Sequence, residues 1–600
     1  LLPQAIAAAL AVAALYLMLE PRIGTGGAFG GALAMAVFPS FVAVSRENGV
    51  DTLLILLLVL ACAAALRACD TGRSRTLIWS GVLVGLAFNT KTLAAYLVLP
   101  GIAAGYLLCA PGSIRRRAAQ LSVAGVAMLA VSFSWIAFVE LTPASKRPYI
   151  GSSTDNTELG LTFAYNGFGR VEGQAGGPNT TATRPGAYVP SARQRAVNAA
   201  IARAGNSAPS AGSTGAAHIP TPTLTPVATA GRERNAIPFG GPPRPLRLFG
   251  IGLGDQAGWM LPFALFGAIG LALLALLDRA PATPRPRRWL DFDRPRMACA
   301  LVLGGWFLVE AIVLSLSKGI VHPYYVSALA PGTGAMAGAG AAAFATLARG
   351  RTRALGVALA ACAIATTAIA QAALLHRERY MQWFLPVLLI GAGVGVCALL
   401  VLRGRATTGT AAPARSPRGE RLVGPALAAT FALLLVAPTA YSATTWLAPS
   451  DGTFPTAGPR HVAGSGAYGI NAKDLRIDAA LSAYVSTHGA GSRWALLTVA
   501  SNTAAPMILF GLHAGALGGY SGTDPALDGP GLARLVARRQ ARYVLLGGEY
   551  SLRGGNRATV AVLRACREMA PSQWRSPLRY PLGRVLFDCA GRERALAAAG

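Results

Sequence analysis

The segment Ser317-Lys318-Gly319-Ile320-Val321-His322-Pro323-Tyr324-Tyr325 interrupts two long apolar runs, Trp306–Leu316 before it and Val326–Phe344 after it. A lysine, a histidine and two tyrosines therefore fall where two membrane helices meet. Ionisable groups at such a boundary are costly to keep and point by default to a functional site. The milder reading is a set of interfacial anchors, because Tyr and Lys favour headgroup depth. Pro323 adds to the functional reading by breaking the helix and freeing backbone groups.

The rest of the chain repeats the pattern. Of 600 residues, 53% are hydrophobic and only 13% are charged, too apolar for an ordinary soluble protein. Apolar runs long enough to cross a bilayer core of roughly 30 Å recur. They predict twelve spans, near 1–18, 28–45, 51–66, 76–90, 92–109, 118–139, 259–277, 297–316, 324–346, 354–374, 382–402 and 422–442. The net charge of +29 does not point to nucleic acid, because the arginines sit in short loops between spans. One set of loops holds Arg22, the cluster Arg67 to Arg75, Arg115 to Arg117, Arg279 to Arg296, Arg349 to Arg353 and Arg403 to Arg421, twenty-one arginines in all. The short loops of the other set hold five basic residues, Arg46, Lys91, Lys318, Arg377 and Arg379. The positive-inside rule makes the first set cytoplasmic, so the 317–325 segment, the loop after 139 and the C-terminal tail are expected outside.

The expected organisation is a membrane core over 1–139 and 259–442, an extracellular loop over 140–258, and an extracellular domain over 445–600. Within the loop, residues 173–245 are rich in Gly, Ala, Pro, Ser and Thr, a composition that predicts disorder. The sequon Asn179-Thr180-Thr181 is read as chance. From 445 onward the apolar runs shorten to strand length at Trp494–Val499, Tyr543–Leu546 and Val585–Phe587. Helix-like segments near 474–487, 503–511, 530–540 and 557–567 alternate with them and predict a small α/β domain. Cys566 and Cys589 share that domain on an oxidising side, the setting for a disulfide. Cys62, Cys109, Cys299, Cys362 and Cys397 read as thiols packed in spans, and Cys69 as part of a basic loop. The cysteines lack metal spacing such as C-x-x-C. No cofactor is assigned, and a divalent metal is left open.

Further candidates follow from the spans. Lys91 ends a hairpin too short to reach the outer surface, where it could snorkel or hold a phosphate as a compact charge. Asp51 opens an outward helix end, a place favoured by capping and by the helix dipole whether or not it also serves a site. Glu310 lies inside a span, as a partner for a neighbouring helix or a catalytic group. Gly332 to Gly340 and Gly391 to Gly395 are read as close helix packing. Two outward lysines with tyrosines and a histidine suit a lipid-linked phosphate, whose head lies at this depth and whose charge needs cations when it leaves.

Several runs carry a family likeness: Leu1-Leu2-Pro3-Gln4, Arg46 to Leu54, Gly85 to Lys91, Arg147-Pro148-Tyr149-Ile150-Gly151, Tyr165 to Arg170 and His322-Pro323-Tyr324-Tyr325. Together they resemble bacterial glycosyltransferase family 39, in the GT-C superfamily of protein O-mannosyltransferases and the lipid A aminoarabinose transferase. The tail, with Ala516 to Tyr520 and Tyr543 to Gly548, resembles the extracellular domain of actinobacterial and Bacillus-type mannosyltransferases.

The resemblance implies about thirteen spans and a polyprenyl-phosphate sugar donor. It implies a membrane lipid environment and an outer-face acceptor that is a protein, a glycolipid or a wall polymer. It places a catalytic Asp, the general base, in a loop upstream of Leu1, so that these 600 residues alone are expected to be inactive. Asp51 matches the family's second acidic position, with Gly49-Val50-Asp51 in place of its usual Asn-Pro-Asp. Lys91 and Lys318 match lysines that hold the donor phosphate, with His322, Tyr324 and Tyr325 orienting phosphate or sugar. The rival readings are a transporter or lipid flippase, which should show internal repeats, and a non-catalytic envelope scaffold.

Overall fold

The structure is a computed structural model that describes the chain apart from residues 154, 173–239, 278–291, 320, 405–416, 448–453, 460–471, 521, 548–554, 576–583 and 600. The chain divides into two compact units, Leu1–Ala137 with Pro238–Gly469, and Phe138–Ile237 with Ile470–Gly600.

The first unit is helical and membrane-spanning. Among the described residues eight helices are long and apolar enough to cross a bilayer, and Leu261–Leu277 is a shorter apolar helix. Each of the twelve expected segments falls on helix, but their division differs. The expected spans 1–18 and 28–45 merge into Leu2–Ala36, broken only at Gly24 (φ 78°, ψ 163°), followed by the short helix Pro39–Val44. Gly24 allows that break because it carries no Cβ to clash at positive φ. The helix Ala330–Leu347 is nearly all buried and packs against both Leu2–Ala36 and Leu261–Leu277.

Its glycines explain this position. A Cβ on Gly338 would stand 2.2 Å from the Gly27 carbonyl oxygen, and one on Gly340 would stand 2.4 Å from Gly267 Cα. Between membrane helices lipid is as apolar as Leu, so close backbone approach and dispersion hold the contact rather than hydrophobic burial. Gly332 to Gly340 thus pack helices as expected. In the second stretch a Cβ on Gly391 would meet Leu433, whereas Gly393 faces open space.

Two readings of the cysteines need correction. Cys69 lies within the helix Asp51–Thr71 and is buried, because that helix runs past the apolar segment into the basic stretch. Cys362 and Cys397 are exposed on helices Arg353–Glu378 and Phe384–Gly404, since an apolar side chain in a span can face lipid as well as protein. The stretch expected to be disordered lies outside the described residues up to 239, as does the sequon. Its end is ordered instead. Gly240 turns the chain at φ +75° and its N–H donates to Ile251 O, while the Arg244 N–H donates to Ser315 O.

Among the described residues of the second unit five strands form one sheet, β1 Trp494–Thr498, β2 Ala514–Ala516, β3 Ala541–Leu546, β4 Arg567–Met569 and β5 Val585–Asp588. Their order in the sheet is β2-β1-β3-β5-β4. β2, β1 and β3 run parallel, and β5 joins β3 antiparallel with Tyr543 opposite Asp588. Helices Ala472–His488, Ser501–Leu509, Gly529–Ala537 and Arg557–Ala565 fall where the alternation placed them. The two short strands β2 and β4 are too brief to leave a periodic signal. The sheet has a core on each face, one around Leu532, Val536 and Val562 and the other around Leu481, Met507 and Trp574. Each such Leu or Val contributes about 1.5–3 kcal/mol by leaving water. Cys566 and Cys589 form a disulfide that ties the start of β4 to the end of β5.

Candidate functional site

Lys91 is the last residue of the helix Ser74–Lys91. The helix stops because Thr92 adopts φ 44°, ψ −134°, and a 3-10 segment Thr92–Val98 follows before Leu99–Cys109. The expected non-helical backbone at this hairpin is therefore present. Its flanks are fixed. Asn89 Nδ2 donates to Val131 O at 2.8 Å, and Phe88 stacks between Tyr96 (4.9 Å) and Phe133 (6.2 Å). Gly85 lets Ser74–Lys91 close on the helix Ile114–Leu141, since a Cβ there would lie 2.8 Å from Met128 O.

Asp51 is the first residue of the helix Asp51–Thr71, and its side chain makes no capping bond at that N-terminus. Its Oδ1 instead accepts from Lys91 Nζ in an ion pair, with 8% of the Asp51 side chain and 24% of the Lys91 side chain exposed. The helix N-terminus still favours the carboxylate electrostatically. Upstream, buried Glu47 folds its carboxylate into the space a side chain on residue 49 would fill, 2.0 Å from that Cβ position. Glycine at 49 is what admits it.

The tyrosines of the 317–325 segment close over this pair. Lys91 Nζ lies 4.9 Å from the centre of the Tyr324 ring and 4.7 Å from that of Tyr325. A cation over an electron-rich ring face is attracted by the ring quadrupole. The two tyrosine rings meet edge to face at 4.8 Å, and His322, which is buried, lies parallel to Tyr324 at 5.6 Å and edge-on to Tyr325 at 5.2 Å. His322 and Pro323 set the start of a 3-10 turn, Pro323–Leu329, which packs against Pro39–Val44.

An arginine that the sequence reading passed over anchors the other end of the segment. Arg247 is completely buried, and its Nη1 donates to Ser317 O at 2.6 Å and to Leu314 O at 3.3 Å. It thereby satisfies carbonyls left open at the C-terminus of the helix Gly305–Leu316 and sets a positive charge against that end of the dipole.

Phe454 was also missed. It lies 4.5 Å from the His322 ring and 6.4 Å from the Tyr324 ring. A lone phenylalanine just beyond the last span carries no local signal, because only its contacts across the fold give it meaning.

Lys318 is exposed and, among the described residues, makes no ion pair or cation–π contact. Lys91, Asp51, His322, Tyr324 and Tyr325 come together, and Lys318 flanks them by chain connection alone. Glu310 is buried in the helix Gly305–Leu316, within electrostatic range of Lys91 and beside Trp306. Among the described residues no group of three or more His, Cys, Asp and Glu side chains is placed to hold a metal ion.

In the second unit the loop motifs are also ordered. Arg147 donates from Nη2 to Asn156 O at 2.7 Å and lies 3.6 Å from Glu140. Asn156 in turn accepts the Ile150 N–H at 2.9 Å. Buried Asp524, following the Gly518-Gly519-Tyr520 run, accepts the Ser152 N–H at 2.8 Å. Arg170 stacks over Tyr165 at 5.1 Å.

A bundle of apolar helices, with a paired lysine and carboxylate at a helix break under two tyrosines, defines a multi-pass membrane protein with a fixed ammonium among polar and aromatic side chains. The family model "Dolichyl-phosphate-mannose-protein mannosyltransferase" matches residues 1–136, and "Putative mannosyltransferase YkcB-like, C-terminal" matches residues 481–564. Two proteins of Bacillus subtilis (strain 168) are similar along most of their length. "Putative mannosyltransferase YkcB" is 32% identical, over 96% of this chain and 81% of that protein. "Putative mannosyltransferase YycA" is 30% identical, over 91% and 79%. Crystal structures of ArnT from Cupriavidus metallidurans align across the chain, the form bound to undecaprenyl phosphate at TM-score 0.44 and 13% identity, over 99% of this chain and 84% of that one, and the apo form at 0.42 and 12%, over 100% and 84%. The chain is a membrane glycosyltransferase. It belongs to the YkcB-like mannosyltransferase family.

Proposed function

We propose that this enzyme transfers a sugar, mannose in the first instance, from a polyprenyl-phosphate donor to an acceptor on the outer face of the membrane. The observation that carries this reading is Lys91, an ammonium held at a helix break beside Asp51 and under the Tyr324 and Tyr325 rings. A lipid-linked phosphate presents its charge at headgroup depth, where a fixed cation can neutralise it as the glycosidic bond breaks. The charge asymmetry of the loops supports an outward-facing site.

In this reading Lys91 holds the departing phosphate and Asp51 holds Lys91 while the site is empty. Tyr324, Tyr325 and His322 supply hydroxyl and imidazole groups that orient phosphate and sugar. Lys318, exposed four residues before His322 in the chain, adds a second positive charge for an anionic head. In this reading the long loop and the α/β unit take the acceptor.

The test is binding of polyprenyl-phosphate mannose to the purified protein in lipid nanodiscs. Lys91→Ala combined with Lys318→Ala is expected to abolish it. Retained binding in the double variant favours a scaffold or a transporter that does not grip the phosphate there.

A further inference from the structure

The segment Phe454–Pro459, which follows the last membrane helix, is fastened to the core at three points. Gln256 and Ala457 exchange two hydrogen bonds, Gln256 Nε2 to Ala457 O at 2.9 Å and Ala457 N–H to Gln256 Oε1 at 3.0 Å. The Gly458 N–H donates to Thr444 Oγ1 at 2.6 Å. Gly458 itself sits at φ +113°, and a Cβ there would lie 2.2 Å from the Tyr441 hydroxyl. Gln256 is locked in turn, donating to Asp255 Oδ2 at 2.6 Å, which also accepts from the Tyr441 hydroxyl at 3.1 Å. Gln256, Asp255, Tyr441, Thr444 and Ala457 are all buried. Holding six residues this firmly costs backbone and side-chain entropy, which the buried hydrogen bonds offset.

What the fastening delivers is one ring. Phe454 is only half-buried, against His322 and beyond Tyr324. The cluster therefore has two unlike ends. One carries the ammonium of Lys91 and the two phenols. The other is the apolar ring of Phe454, 6.4 Å from the Tyr324 ring, whereas the cation lies over the Tyr324 and Tyr325 rings. Sugars match such a site. Their hydroxyls need polar partners, while their C–H faces carry slight positive charge and pack on the negative face of an aromatic ring.

We propose that Phe454 forms the wall of the donor site that packs against the transferred sugar, and that Gln256, Thr444 and Gly458 are positioning residues that hold it there. The inference rests on the donor reading above. It assigns Phe454 to the sugar and leaves the phosphate to Lys91.

The two parts of the donor separate the assignments. Binding of polyprenyl-phosphate mannose and of bare polyprenyl phosphate is measured on the whole chain in nanodiscs. Phe454→Ala is expected to weaken the mannosyl ligand about five- to tenfold, the scale of one aromatic stacking contact, and to leave the bare phosphate unchanged. Phe454→Tyr, which keeps the ring, restores the parent value. Gln256→Leu, which touches neither ligand, gives the same selective loss by releasing the segment. Equal weakening of both ligands by Phe454→Ala, or of neither, overturns the assignment. Failure of the unsubstituted protein to bind bare polyprenyl phosphate overturns the donor reading and this proposal with it. Unchanged binding of bare polyprenyl phosphate by Phe454→Ala and Gln256→Leu excludes unfolding as the cause of the selective loss.

Discussion

Substituting Asp51 by Asn is expected to tighten the grip on a lipid-linked phosphate. In the empty site the Lys91 ammonium is held by the Asp51 carboxylate, and a phosphate must compete for it. Removing one partner of a fully buried ion pair costs about 3–5 kcal/mol, whereas exposed pairs are worth about 1 kcal/mol or less. With side-chain exposures of 8% and 24% the Asp51–Lys91 pair lies between these limits. A competition of about 1–2 kcal/mol corresponds to about five- to thirtyfold in affinity. Asp51→Asn keeps the shape and removes the competing charge, so bare polyprenyl phosphate should bind tighter by that factor. Lys91→Met removes the cation and should abolish binding, and the double variant should match Lys91→Met. Calorimetric titration of the four proteins in nanodiscs closes the cycle. The gain from Asp51→Asn should shrink as salt is raised, because the more exposed ammonium is screened. Weaker binding in Asp51→Asn, by as much as in Lys91→Met, would refute the competition and make Asp51 a direct support of the ligand or of the lysine's pose.

Three further outcomes are expected. Replacing Cys566 and Cys589 together by Ala opens a loop spanning a sequence separation of 23 residues and should cost the α/β unit about 3.5 kcal/mol, read as lower hydrogen-exchange protection of β3 and β5. Gly338→Leu pushes a side chain against Gly27 and Gly31 and should lower the melting temperature of the detergent-solubilised protein, at a cost of at least about 1–3 kcal/mol. Burial by itself would raise the Asp588 carboxyl, but the hydrogen bonds from Arg542 and the Ala590 N–H outweigh it and hold the carboxyl below its ordinary value. A carboxyl lowered on folding stabilises the fold above its unfolded pKa of about 3.9 and loses that contribution as pH falls through the folded value. Protection factors at Tyr543 and Val544, opposite Asp588 and Phe587, should therefore fall below about pH 4, and Arg542→Gln should flatten that dependence.

Much of this protein is written in local pattern. Apolar runs and arginine-rich loops determine the membrane helices, because bilayer thickness and insertion act on short stretches of chain. The shift to short β-rich runs after 445 determines the α/β unit, and the single pair of cysteines within it determines the disulfide. Lys91 and the His322–Tyr325 run stand out for the same local reason, as polar groups where apolar ones are expected. Their partnership is not local. Asp51 and Lys91 meet across 40 residues, and the tyrosines reach them from another helix end, because glycine-lined helices allow backbones to approach to a distance no linear pattern records. Tertiary structure also turned Asp51 from a capping residue into an ion-pair partner, set Lys318 outside the cluster, and brought in Arg247 and Phe454. A buried arginine on a helix end and a lone phenylalanine on a pinned segment are ordinary residues in sequence. They acquire a role only when packing decides which carbonyl and which ring they face.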